Sequence, residues 1–492
     1  LPETKKTDFK PLWLSVWFWI LSLALHLASG LYFPQPFGDE SYFFYAAKAW
    51  AENQSFFAPE LHSSRPLYWM PVGYPMLAGL VLKLFSPGFE GMRHLSFVAV
   101  SIAFFSLSAT FSDQKDGKWK VAILGFFLLS KPWIVCGNLA RMESFVLAFL
   151  CLAIYFSWKE NWRYSWICIL LSGAFHPIGL AFLLFWLIYY FQFSRPFFRT
   201  DLFLPFFFLS PVLALLYLGF PADLDHLVQD WGFQMAGKSW EEFWLLLFRP
   251  QSFGFFALAA FLGIVFRRKG NRPGLLWISL AVFLFCIRIF GRGDTYGIYT
   301  SLGICLLAIC LWDFLVEKAT FFAFFQIRKS LAFSGVLLLL LVSKSIQIPL
   351  VGQNAVPSFT DIQSNFSYLK FEEVSAIRQK VDSVCEAKNW RTLAIYPEAV
   401  GCILYRKGQT STHIIHNFED TKPDGILFFS KKGDSFEKDR SFIYTTYQIN
   451  PDSNLFVKNE NWAFFPNTKN MVVRNRLDAL ERCRKAGIDC PE

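Results

Sequence analysis

Gly38-Asp39-Glu40-Ser41-Tyr42-Phe43-Phe44-Tyr45 sets two acids among aromatic residues, directly after a long apolar run. A carboxylate at the boundary of lipid and water, flanked by rings, has the character of a general base aimed at a hydroxyl. The plainer reading is a pair of acids at a helix start, where the macrodipole favours them. Successive helical residues point about 100° apart, so one of Asp39 and Glu40 can face a site while the other orients it or turns away.

Five further stretches carry groups of the same kind. In His62-Ser63-Ser64-Arg65-Pro66-Leu67-Tyr68-Trp69, Arg65 either anchors to lipid headgroups beside Trp and Tyr or grips a phosphate with its planar fork, and His62 is taken with it. Asn138-Leu139-Ala140-Arg141-Met142-Glu143-Ser144 places an Arg and a Glu two apart. Such a pair does not face itself on one helix, so separate partners are expected for Arg141 and Glu143. His176-Pro177 interrupts an apolar stretch, and Pro disfavours helix at the preceding residue, so a break is predicted at His176. That His is read either as satisfied by a backbone carbonyl or as a substrate contact. Arg288 and Arg292, in Arg288-Ile289-Phe290-Gly291-Arg292-Gly293-Asp294, are candidates for phosphate binding, because an Arg in an apolar span is costly without an anionic partner. Headgroup snorkelling is the alternative for both. Arg249, closing the aromatic stretch from Trp240 to Phe248, has the same two readings.

The elements that must position these residues are membrane spans. The chain of 492 residues is 54% hydrophobic and 17% charged, with 59 Phe and 18 Trp. A soluble domain has about 45–50% apolar and about 25% charged residues, so lipid is the expected solvent. Runs of roughly 17–25 apolar residues predict about eleven spans, near 12–33, 94–112, 119–137, 143–157, 164–175, 177–192, 202–219, 252–266, 274–290, 295–316 and 331–349. The segment 69–85 is nearly long enough to cross. Read as an in-plane or re-entrant helix broken by Pro71 and Pro75, it leaves 17 cations in the cytoplasmic loops against 8 in the external connections. A full crossing would instead put Arg267-Arg268-Lys269 outside. The N-terminus is therefore expected in the cytoplasm, and an odd number of spans sends the C-terminus to the other side. On this topology Asp39, Arg65, Arg141, Glu143, His176, Arg288 and Arg292 all reach the external boundary.

The expected domains are a transmembrane region, 1–350, with external loops at 34–93 and 220–251, and an external α/β domain, 351–492. In the latter a polar helix near 371–388, strands at Thr392–Tyr396 and Gly425–Phe429, Phe/Tyr-rich β segments and a closing helix near 474–486 are predicted. Cys385 with Cys402 and Cys483 with Cys490 are the pairings expected of its four cysteines, with free thiols the alternative. The net charge of +9 includes no polybasic run, which argues against nucleic acid. No glycine-rich phosphate loop, Walker sequence or serine-nucleophile motif is present.

Together these residues resemble the integral-membrane class C glycosyltransferases, in the branch of protein O-mannosyltransferases and bacterial aminoarabinose transferases. Asp39-Glu40 is similar to that branch's acidic motif and Arg65-Pro66 to its basic-Pro element. Arg141-Met142-Glu143 is similar to its second acidic position, and Gly173-Ala174-Phe175-His176-Pro177 to the break between its fifth and sixth helices. Arg65 and His176 stand where the family usually has Lys. The resemblance implies a polytopic helical fold and inverting transfer from a polyprenyl-phosphate sugar donor to a lipid, glycan or protein acceptor. The site would be the periplasmic face of a bacterial inner membrane. Asp39 would be the base, Glu143 a secondary acid that orients substrate or supports a metal, and the arginines would hold the departing phosphate; a divalent metal is left open. A transporter or flippase of a lipid-linked or anionic substrate, or an inactive transferase-like assembly protein, are the alternatives. The absence of an internal repeat weighs against a transporter.

Overall fold

The computed structural model describes residues 10–32, 40–58, 71–85, 88–193, 247–291, 297–319, 333–338 and 381–387, five strands farther on, and a few single positions. Asp39, His62, Arg65, Arg292, the span predicted at 202–219 apart from Phe207, most of that at 331–349, the helix near 474–486, and Cys402, Cys483 and Cys490 lie outside the described residues.

Twelve helices can be labelled in chain order: α1 Lys10–Tyr32, α2 Glu40–Asn53, α3 Gly73–Phe85, α4 Phe89–Ser112, α5 Gly117–Leu128, α6 Lys131–Asn138, α7 Glu143–Trp158, α8 Trp162–Phe175, α9 Ile178–Phe193, α10 Pro250–Arg268, α11 Arg272–Gly291 and α12 Gly297–Ala319. Each span predicted from 12–33 to 177–192, and from 252–266 to 295–316, falls on one of them, except that at 119–137, which falls on two. Among the described residues 3 helices are long and apolar enough to cross a membrane, or 4 if the bent pair α5 and α6 is one span.

Two local readings are corrected. The span expected at 119–137 is two helices meeting at 62°, because Pro132 has no N–H to donate and its ring clashes with the carbonyl four residues back. Ser130, extended (φ −80°, ψ 153°), stands at the N-cap position of the second helix, and Pro132 falls in that helix's first turn. Pro75, by contrast, does not break α3. It stands in that helix's first turn, where a missing N–H costs nothing, and Met76 N–H donates to the Val72 carbonyl at 2.9 Å across it. At 13 residues, α3 reaches about 20 Å, short of a hydrocarbon core of about 30 Å.

The bundle closes around large aromatics. Trp133, Trp166, Trp186, Trp277 and Trp312 are fully buried, while Trp13, Trp17, Leu21 and Leu27 on α1, Val98 and Ile102 on α4, and Leu184 and Ile188 on α9 are exposed. Val98 and Ile102, one turn apart, form the kind of apolar outer stripe that suits lipid tails.

One end of the bundle is fastened by ion pairs between its turns. Lys159, after α7, meets Asp113, after α4, at 2.5 Å, and Lys120 of α5 meets Asp313 of α12 at 2.8 Å and Gln114 at 2.9 Å. Trp277 of α11 packs on both Phe111 and Trp158 there. The loops expected to be cytoplasmic around 113–120 and 159–163 thus gather at a single end.

Toward the C-terminus a mixed sheet has the order β2-β1-β3-β5-β4, with β1 Thr392–Tyr396, β2 His413–Ile415, β3 Gly425–Phe429, β4 Val457–Lys458 and β5 Trp462–Pro466. Strand β1 runs parallel to β2 and β3, and β5 antiparallel to β3 and β4. The strands predicted at 392–396 and 425–429 form over those residues. Residues 381–387 are helical within the segment 371–388, and Cys385 there is buried.

Candidate active site

At the opposite end from Asp113 and Lys120, the helices bury charge. Glu40 opens α2 and is 0% exposed. Arg93 of α4 holds both its oxygens, Nε to Oε1 at 3.0 Å and Nη2 to Oε2 at 2.7 Å. The backbone N–H of Ala140 also donates to Oε1, at 2.5 Å. One carboxylate therefore joins α2, α4 and the break between α6 and α7. An ionised acid out of water needs this many donors to remain there.

That break, residues 139–142, carries the second pair. Arg141 donates through Nε to Glu143 Oε2 at 3.2 Å and approaches Oε1 through Nη2 at 2.9 Å. Glu143 is 1% exposed and begins α7. Separate partners were expected for these two residues. The helical spacing rule behind that expectation does not apply, because Leu139 is extended (φ −106°, ψ 135°) and Arg141 precedes the helix. The chain turns tightly just before them, Arg141 N–H donating to the Leu139 carbonyl at 2.9 Å, and Ser144 Oγ donates to the Arg141 carbonyl at 2.9 Å. The Arg141 guanidinium also lies 6.0 Å from the Phe43 ring.

His176 is buried, extended (φ −155°, ψ 143°), and separates α8 from α9 where the break was predicted. Its Nδ1 accepts the N–H of Ile178 at 3.0 Å, so this ring nitrogen caps α9 and its neutral form carries the proton on Nε2. His176 lies within electrostatic reach of Glu143, and Tyr74 of α3 within reach of Glu40, Glu143 and Arg141. Beneath them rings step from Phe43 to Tyr74 (5.6 Å), Phe145 (5.8 Å) and Phe175 (5.0 Å). Two glycines allow this closeness: a Cβ on Gly73 would stand 2.3 Å from the Ala174 carbonyl oxygen, and one on Gly179 2.3 Å from the Ser172 carbonyl carbon.

Arg93 and a histidine network were missed by the sequence reading. Asn138 Nδ2 donates to the Ile134 carbonyl at 2.7 Å, leaving Oδ1 to accept from His26 Nδ1 at 2.7 Å. His26 Nε2 then accepts from His94 Nδ1 at 2.8 Å; these tautomers follow from the amide's orientation. The network ties α1 to α6 and α4. Arg288 lies half-buried in the last turn of α11, and Arg249 is exposed at the start of α10. The end of α11 leads to Gly297, beside Pro132 of α6, and so to the same end of the bundle. Of the sequence-selected residues, then, the structure gathers Glu40, Arg141, Glu143 and His176.

A divalent ion finds no cage among the described residues, which contain no group of three His, Cys, Asp or Glu placed to hold one. The two buried carboxylates instead face guanidinium groups.

A helical bundle with apolar flanks and paired charges buried at one end is the architecture of a polytopic membrane protein with a polar site at one boundary. Its fold is similar to that of ArnT from Cupriavidus metallidurans bound to undecaprenyl phosphate, with a TM-score of 0.53 and 12% identity over 93% of this chain and 98% of that one. Apo ArnT from the same organism gives a TM-score of 0.46 and 14% identity over the same shares; the fold assignment rests on the first alone. No protein-family model matches the chain, and no curated protein matches it in sequence. The likeness is one of fold alone, and it agrees with the resemblance drawn from the motifs.

Proposed function

We propose that the chain is an inverting glycosyltransferase that moves a sugar from a polyprenyl-phosphate donor to a lipid, glycan or protein acceptor at the non-cytoplasmic face of a bacterial inner membrane. The observation that carries this reading is the fold, shared over 93% of the chain with a protein bound to undecaprenyl phosphate. The gathering of Glu40, Arg141, Glu143 and His176 at the end away from the cation-rich turns supports it. Asp39 takes the proton of the acceptor as its oxygen or nitrogen attacks the anomeric carbon. The bond from that carbon to the phosphate oxygen breaks on the opposite side, which inverts the centre. The leaving phosphate gains a second negative charge, and guanidinium groups aimed at it stabilise the transition state more than the ground state. Arg65, Arg288 and Arg292 are assigned that task, with Arg249 and His62 at the periphery. Glu143, held by Arg141, orients substrate, and the segment 351–492 forms an external α/β domain.

The test is transfer by the purified full chain with a panel of polyprenyl-phosphate sugars. Arg65→Ala and Arg288→Ala are expected to lower kcat as well as donor affinity, whereas Arg249→Ala acts on affinity alone. Unchanged kcat in the first two variants, with folded protein, assigns those arginines to lipid headgroups instead.

A further inference from the structure

The structure's least expected charge is Arg93. It stands in the second turn of α4, 53 residues from Glu40 in sequence, and it is 7% exposed. Its side chain lies against Glu40 and over the Phe89 ring, 4.8 Å from the centroid. Glu40 in turn spends an oxygen on the N–H of Ala140, the residue before Arg141. A carboxylate enclosed by a side-on guanidinium and a backbone amide is poorly placed to take a proton from an acceptor. It is well placed to fix three backbones at once: α2, whose preceding residue is Asp39; α4; and the break that turns Arg141 back onto Glu143.

We propose that Arg93 is a positioning residue for the transfer reaction, acting through Glu40 and the Ala140 amide to hold the Arg141–Glu143 turn, and that Glu40 is the middle of this latch rather than a base. The proposal rests on the glycosyltransferase reading. Ala140 contributes a main-chain N–H that no substitution short of proline removes, so the latch is best tested from the Glu40 or Arg93 side. Releasing it lets the 139–142 break move relative to α2. Reaction rates are sensitive to displacements of about 1 Å, which can cost roughly 100-fold, while donor binding, spread over arginines on other segments, is much less so.

The experiment measures kcat and donor KM for the full-length enzyme with the panel donor that wild type turns over. Arg93→Ala is expected to lower kcat by roughly 10–100-fold with KM little changed. Arg93→Lys, which keeps the charge but not the two-point grip, recovers part of the loss. The double variant Glu40→Gln/Arg93→Gln, in which two amides can bond to each other, is no slower than the slower single variant, because both act through one contact. Unchanged kcat in Arg93→Ala, or a double variant whose loss is the product of the two singles, overturns the positioning role while leaving the proposed function standing. If Arg93→Ala does not fold, Arg93→Lys and the double variant decide by the same criteria. Wild type that turns over no donor of the panel overturns the proposed function itself, and the positioning role with it.

Discussion

Replacing Arg141 by Ala removes the two guanidinium contacts to Glu143, at 3.2 and 2.9 Å, beside a carboxylate that is 1% exposed. Breaking a buried ion pair from one side costs about 3–5 kcal/mol, mostly because the remaining charge is stranded. At the low end this is a change of more than 100-fold in the folding equilibrium, since about 1.4 kcal/mol is a factor of ten. Arg141→Lys keeps a charge near Glu143 but loses the second of two charge-assisted bonds, each worth about 1.5–3 kcal/mol, and should fall between Arg141→Ala and wild type. Arg141→Met/Glu143→Gln removes both charges while keeping an unbranched side chain near the Phe43 ring, and should be more stable than Arg141→Ala. The assay is heating in detergent followed by size-exclusion chromatography, with the fraction left as monodisperse protein read against temperature. An Arg141→Ala variant as stable as wild type, or a double variant less stable than Arg141→Ala, would show that the charge of Glu143 is satisfied without Arg141 and refute the reasoning.

Asp39→Asn should lower transfer by about 10²–10⁴-fold, the usual range for a lost general base, while the protein elutes as folded; wild-type rates in this variant would remove Asp39 from the mechanism. Thiol labelling from outside intact cells should reach Ser364→Cys and Ser430→Cys but not Lys269→Cys, and the reverse pattern would invert the topology. Gly179→Ala should destabilise the α8–α9 break, since its methyl carbon would stand 2.3 Å from the Ser172 carbonyl carbon; an unchanged melting profile would show that the break yields freely.

Long apolar runs and local punctuation were readable from the sequence because each is a short-range property. The break at His176 follows from the proline after it, and β1 and β3 from compact hydrophobic runs with polar flanks. The bend between α5 and α6 was also written locally, in Ser130-Lys131-Pro132, but continuous hydropathy across it concealed the proline. The Arg141–Glu143 pair was misread because a helical spacing rule was applied to residues outside a helix. Arg93 gave no local signal at all: a lone cation near the start of an apolar helix looks the same whether it faces headgroups or an acid 53 residues earlier. The histidine network depends likewise on three segments meeting, with separations of 68 and 112 residues.

The contact between Glu40 and Ala140 spans 100 residues, and this bears on how the protein is made. At a synthesis rate of about 5–20 residues per second, Glu40 leaves the ribosome about 5–20 s before the amide that completes its coordination. Arg93 arrives at roughly half that interval. During this time a carboxylate destined for full burial must be kept in contact with water. Its place on α2, a 14-residue helix too short to span, lets it wait at the membrane surface until α4 and α6 have been inserted. Biogenesis therefore favours Glu40 on the non-spanning helix: the same carboxylate within the first span would have to enter the bilayer before its arginine had been translated.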